Sequence, residues 1–155
     1  MNRDVIVKEA MKTNIAKVEP NTTVLDAAKL MKKRNIGNVI VVEKKQPIGI
    51  LTESDILKKV VAEGKSAKDV IVMDVMSTPI IVIDPYVSLE EAMKTMGKCN
   101  VRRLPVIEKD ELIGIITQKD ISMISPILHE ISREWYDIAI RDETFFKKQI
   151  LMMLV

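Results

Sequence analysis

Glycine, threonine and aspartate recur at one spacing in two places. Gly49-Ile50-Leu51-Thr52-Glu53-Ser54-Asp55 returns as Gly114-Ile115-Ile116-Thr117-Gln118-Lys119-Asp120. Two kinds of chemistry fit a threonine and an aspartate three residues apart. At a helix start, the threonine oxygen accepts from a backbone N–H and the carboxylate reaches back. In a binding site, two carboxylate oxygens match the two hydroxyl donors of a ribose diol. A threonine hydroxyl beside the unpaired N–H groups of a helix start suits a phosphate. Glycine weakens a strand unless something must approach its backbone closely, which favours a ligand. No nearby cation is expected beside Asp55, so a diol is its natural partner. Together these features describe an adenosine nucleotide, with the helix start as the plain alternative.

The elements that position these residues are themselves duplicated. A shift of 65 residues superimposes Asp4–Ile56 on Asp69–Ile121 without a gap, with 22 identities in 53 positions. A period this long exceeds the usual solenoid repeat, and two copies do not make an array. Each copy reads β-α-β-β-α, an α/β pattern. A short extended segment, Asn14–Glu19 or Pro79–Asp84, precedes a helix. Thr23 with Asp26, and Ser88 with Glu91, mark the two helix starts as capping boxes. Val24, Ala27, Ala28 and Met31, like Leu89, Ala92, Met93 and Met96, follow helical spacing. Two strands around a short polar turn form a hairpin, and a second helix follows Thr52 or Thr117. A unit of this size has too little core to stand comfortably alone, so two copies are expected to dock face to face and share one. The boundaries are repeat 1 at 1–62, repeat 2 at 63–125 and a helical extension at 126–155.

Composition excludes several classes. The chain has 155 residues, 47% hydrophobic and 30% charged, with a formal charge of +2. That balance is too small to argue for nucleic acid. The single cysteine, Cys99, permits no intrachain disulfide and fits a reducing, cytoplasmic compartment. No secretory signal opens the chain and no apolar run approaches a membrane span. With one cysteine and one histidine, His129, no zinc spacing and no nucleophile–base set can be assembled. Neither an enzyme nor a metal site is expected.

The tandem β-α-β-β-α order, closed in each copy by Gly-x-x-Thr-x-x-Asp, resembles a CBS-domain pair, or Bateman module. Arg102–Ile121 is close to the family pattern throughout, and the resemblance runs from Asp4 to about Ile124. Copy one departs at Gly37-Asn38-Val39-Ile40. The resemblance implies two copies related by a pseudo-twofold axis, with ligand clefts between them and no catalysis. It implies AMP, ADP, ATP, S-adenosylmethionine, methylthioadenosine or NAD as regulatory ligand, and no catalytic cofactor. Asp55 and Asp120 match the family's ribose aspartate, and Thr52 and Thr117 its phosphate-side hydroxyl. The adenine-contacting backbone falls on Asn14, Ile15 and Ala16, and on Pro79, Ile80 and Ile81. The residues opening the first hairpin strand are Ile36, Gly37 and Asn38, and Val101, Arg102 and Arg103. Arginine forks suit phosphate oxygens, and Lys119 adds a third charge. The clefts are therefore expected to be unequal, with the Asp55 cleft, which by family geometry faces these cations, the tighter one.

The expected function is a stand-alone sensor of an adenosyl ligand, acting as a homodimer on a protein partner. A nucleic-acid-binding regulator using the Lys/Arg clusters is one alternative. A structural dimerisation module with empty sites is the other. Ile127, Ile131, Trp135 and Ile138 give the tail a helical spacing that suits packing on the core or a dimer contact.

Overall fold

The 65-residue shift survives in the hydrogen bonds of the backbone. The computed structural model describes residues 4–125 together with Glu134 and Ile138. The rest of the expected tail, with His129, Trp135 and Tyr136, lies outside the described residues. The elements are α1 (Val7–Ala10), β1 (Lys17–Val18), α2 (Val24–Arg34), β2 (Asn38–Glu43), β3 (Gln46–Thr52), α3 (Glu53–Ile56), α4 (Val72–Val75), α5 (Leu89–Cys99), β4 (Arg103–Glu108), β5 (Glu111–Thr117) and α6 (Gln118–Ile124). A five-residue π-helical segment, Leu57–Val61, continues α3. This is the mixed α/β pattern expected, twice over.

The local rules explain most of it. Thr23 Oγ1 accepts from the Asp26 N–H and Ser88 Oγ from the Glu91 N–H, both at 3.1 Å, so α2 and α5 start where the cap residues stand, as simple N-caps and not the reciprocal capping boxes expected. Both helices end on an asparagine in the left-handed region, Asn35 and Asn100, each at φ 51°. β2 pairs antiparallel with β3, and β4 with β5, each across a two-residue turn. Lys44 and Lys45, like Lys109 and Asp110, all take positive φ, as the tight primed hairpin turn requires. The first extended segment is shorter than expected. Only Lys17–Val18 forms a strand, parallel to β2, and its counterpart is a single parallel bridge, Ile83 to Val106.

The chain forms two compact units that cross the repeat boundaries. One holds residues 14–80; the other joins the residues from Ile81 on to those up to Thr13. We call them the N unit and the C unit. The short helix before each repeat docks on the other repeat. In the C unit, the Val7 N–H donates to Val87 O at 2.9 Å and the Lys8 N–H to Pro85 O at 2.8 Å. In the N unit, the Val72 N–H donates to Thr22 O at 2.8 Å and the Met73 N–H to Pro20 O at 3.0 Å. Burial follows the same exchange. The C-unit core joins Val7 to Leu89, Ala92, Met93, Met96, Leu104 and Ile116. The N-unit core joins Val72 and Val75 to Val24, Ala27, Met31, Val39 and Leu51. The single shared core expected from the sequence is thus two cores, each completed by the segment that precedes the other repeat. Backbone groups of each exchanged segment are thus satisfied by the repeat that receives it.

Candidate functional site

Thr52 and Thr117 end β3 and β5 and cap α3 and α6. In both, the reciprocal box is complete: the Asp55 N–H donates to Thr52 Oγ1 at 3.2 Å while the Thr52 N–H donates back to Asp55 Oδ2 at 3.0 Å. The Asp120 N–H and Thr117 Oγ1 are 3.1 Å apart, and the Thr117 N–H reaches Asp120 Oδ2 at 3.2 Å. Each threonine hydroxyl also donates to the same Oδ2, at 3.0 Å in the N unit and 2.7 Å in the C unit. The helix-start reading is therefore correct for both motifs. One carboxylate oxygen of each aspartate is committed to it.

The other oxygen meets the exchanged segment. Ser77, just after α4, donates its hydroxyl to Asp55 Oδ1 at 2.8 Å. Lys59 joins it at 2.9 Å and also donates to Val75 O at 2.9 Å. In the C unit, Lys12 stands 65 positions before Ser77, and its ammonium lies 3.1 Å from Asp120 Oδ1. The expectation that Asp55 has no nearby cation is corrected by Lys59, one helical turn further on. Burial raises the Asp55 carboxyl, but Lys59, Ser77 and the Thr52 N–H and hydroxyl outweigh it and hold it below the ordinary 3.8.

The two glycines serve the same junction. A β-carbon on Gly49 would come within 3.2 Å of Ser77 O, and one on Gly114 within 3.1 Å of Lys12 O; the sulfurs of Met76 and Met11 stand closer still. Two backbone bonds hold each approach: Ser77 N–H to Ile50 O at 2.8 Å with its return at 3.2 Å, and Lys12 N–H to Ile115 O with its return, both at 2.9 Å. Something does approach the backbone closely, and it is the protein's own exchanged segment.

The residues that open the first hairpin strand lie beside the threonines. Asn38 pairs with Thr52 and Arg103 with Thr117. Gly37 O accepts from the Glu53 N–H at 3.1 Å, and Arg102 O from the Gln118 N–H at 2.8 Å. Ile36 and Val101 precede them at half-buried positions. Ser54, Lys119 and Arg102 are exposed and Arg103 is half-buried. Ala16 O accepts from the Ile40 N–H at 2.9 Å, and Asn14 Oδ1 from Arg34 at 3.4 Å, so Asn14–Ala16 runs beside β2. Pro79 and Ile80 fall in the N unit, whereas Ile81 belongs to the C-unit core. Lys12, Ser77 and Lys59 are the residues that sequence reasoning missed. Lys59 had a signal, an i,i+4 spacing from Asp55. Lys12 and Ser77 stand between two identities of the repeat, Met11/Met76 and Thr13/Thr78.

Cys99 is buried, and burial raises its thiol to about 11, consistent with a packing role. Among the described residues no cluster has metal-ligating character, and no helix is long and apolar enough to cross a membrane.

Known proteins resemble this chain in sequence and fold. The CBS-domain family model matches residues 7–62 and again 72–125. An uncharacterized protein of Methanopyrus kandleri, MK0525, is 39% identical over 128 residues, and the match spans 81% of this chain and 65% of that one. The hexameric CBS-CP12 protein from bloom-forming cyanobacteria has a similar structure, with a TM-score of 0.75 and 33% identity over 82% of this chain and 71% of that one. The CBS domain pair of protein MJ0100, solved with 5′-methylthioadenosine and S-adenosyl-L-methionine, shares the fold at a TM-score of 0.69 and 24% identity, over 79% of this chain and 96% of that one. Tandem CBS modules are regulatory ligand-binding modules. With both repeats matched and the exchanged segments completing each of them, the chain belongs to the CBS-domain family as a tandem pair.

Proposed function

We propose that this chain senses an adenosyl ligand whose ribose is held by Asp120, and that it passes the bound state to a partner protein. One observation carries the reading: the two repeated carboxylates are unequally committed. A carboxylate offers about four lone-pair sites. Asp55 uses them all, on the Thr52 N–H, the Thr52 hydroxyl, Ser77 and Lys59. Among the described residues Asp120 accepts from the Thr117 N–H and hydroxyl and from Lys12, and Lys12 is 69% exposed. Asp120 itself is only 12% exposed, but the ammonium end of the pair stands in solvent, where such pairs are worth about 1 kcal/mol, so a diol displaces Lys12 more cheaply than Lys59. At Asp55 it would have to displace a half-buried hydroxyl and a lysine anchored twice. This count reverses the order expected from the sequence. Asp120 is the ligand carboxylate, and Asp55 is chiefly a latch for the segment carrying Ser77.

Arg103, paired with Thr117, and the exposed Arg102 and Lys119 supply charge for a phosphate on the same side of the family pattern. The adenosyl compounds in the MJ0100 pair support the ligand class. AMP, ADP, ATP, S-adenosylmethionine, methylthioadenosine and NAD form the panel to test by thermal shift. A ligand at 100 times its Kd should stabilise the fold by about 2.7 kcal/mol. No shift with any of the six contradicts the reading.

Self-association is part of the proposal. A groove of about 560 Å³ runs between α2 and the α3–π-helical segment, lined by the apolar Met31, Ile56, Leu57 and Val61 and by the charged Lys32 and Glu53. Leu57 is 59% and Val61 62% exposed at its edge. Apolar side chains aligned along a groove mark an interaction surface, and the hexameric relative shows that a similar chain assembles. We assign this face to a second copy of the chain.

A further inference from the structure

We propose that Lys12 determines ligand charge at Asp120: it is the cation that a ribose diol displaces and that the phosphate of the same nucleotide then recaptures. This inference rests on the reading of Asp120 as the ribose carboxylate. It starts from an exchange of lysines between the repeats. In the N unit the cation at the carboxylate is Lys59, from the aspartate's own helical turn, and the exchanged segment brings the neutral Ser77. In the C unit the position matching Lys59 is Ile124, and the exchanged segment brings Lys12 in place of serine. Both carboxylates keep a positive partner, but the two partners differ in how they are held.

Lys59 has a second acceptor, Val75 O at 2.9 Å. The ammonium of Lys12 has one salt bridge among the described residues, to Asp120. Its backbone, by contrast, is fixed: the Lys12 N–H and carbonyl both bond to Ile115 at 2.9 Å, over a glycine that admits the approach. Displaced from Oδ1, the ammonium swings on a stationary α-carbon through one side-chain length. That is also the span from a ribose diol to its 5′-phosphate. A freed lysine beside a phosphate forms a charge-assisted hydrogen bond, whereas a ligand with no phosphate leaves the ammonium to water. Phosphorylated nucleotides recover what the lost ion pair contributed, and nucleosides do not.

The test titrates AMP and adenosine into wild type, Lys12→Met and Asp120→Ala by calorimetry. Lys12 is mostly exposed, and methionine replaces its aliphatic stem without the charge, so the fold is retained; circular dichroism checks this. Wild type should prefer AMP. Lys12→Met should weaken AMP about tenfold or more, and should bind adenosine as well as wild type or better, because the competitor for Asp120 is gone. An unchanged AMP-to-adenosine ratio in Lys12→Met overturns the role of Lys12 and leaves the ribose reading intact. Equal binding by wild type and Asp120→Ala, or no binding of either compound, overturns the ribose reading and this inference together.

Discussion

Ser77 and Asp55 are 22 residues apart in sequence and 2.8 Å apart in the structure, hydroxyl to carboxylate. The bond joins the segment after α4 to the start of α3 and makes a helix cap into a latch. Lys12 and Asp120 repeat the arrangement with an ion pair. The repeated Gly-x-x-Thr-x-x-Asp therefore does three jobs at once. Its glycine admits the exchanged segment, its threonine starts the helix, and its aspartate closes the cap and holds the segment's side chain.

The glycines should be intolerant of a single methyl group. Gly49→Ala and Gly114→Ala each press a β-carbon onto a carbonyl held by two strand-like bonds. Overpacking of this kind costs about 1–3 kcal/mol. Urea unfolding should show the loss in both variants, and an unchanged midpoint in either would mean that the segment is not held against that strand.

Removing the two carboxylates should have unequal costs. Asp55→Ala strands the Ser77 hydroxyl and the Thr52 N–H in a part-buried setting, at about 2–3 kcal/mol. Asp120→Ala likewise strands the Thr117 N–H but loses only an ion pair whose lysine end is in solvent, at about 0.5–2 kcal/mol. Chemical denaturation of both variants beside wild type checks the order. A larger loss from Asp120→Ala would contradict the latch assigned to Asp55.

Acid should erase the advantage of Asp55. Its folded carboxyl lies below the unfolded value of 3.8, so its stabilisation is complete above that value and fades as pH falls through the lower folded one. The stability gap between wild type and Asp55→Asn should be constant near neutrality and should shrink only below about pH 3.8. A gap that closes at pH 5–6 would show that another group controls the latch.

Charge in the groove should block assembly. Leu57→Glu and Val61→Glu place carboxylates on its exposed edge. Light scattering should find wild type at a multiple of 17.6 kDa and both variants at or near the monomer mass. A monomeric wild type at micromolar concentration would remove the self-association proposal.

Much of this was legible in the sequence, and for physical reasons. The 65-residue shift, the caps at Thr23, Ser88, Thr52 and Thr117, and the two hairpins all follow from local chemistry that each residue carries with it. The exchange of segments was hidden, because Val7 and Val72 are apolar in either partner's core and nothing local says which repeat receives them. The same blindness concealed Lys12 and Ser77. Their importance comes from docking onto β5 and β3 across a long sequence separation. The glycines drew attention for the correct reason, a close approach to the backbone, but the visitor proved to be the chain itself.

The central claim is that Asp120 holds the ribose of an adenosyl ligand, and a calorimetric titration of AMP into wild type and Asp120→Ala tests it most directly. The claim predicts measurable binding by wild type and a loss of about 1.5–3 kcal/mol in the variant, as for a hydrogen bond to a charged group. An affinity unchanged by Asp120→Ala, in a variant that has lost only the stability of its cap, would contradict it.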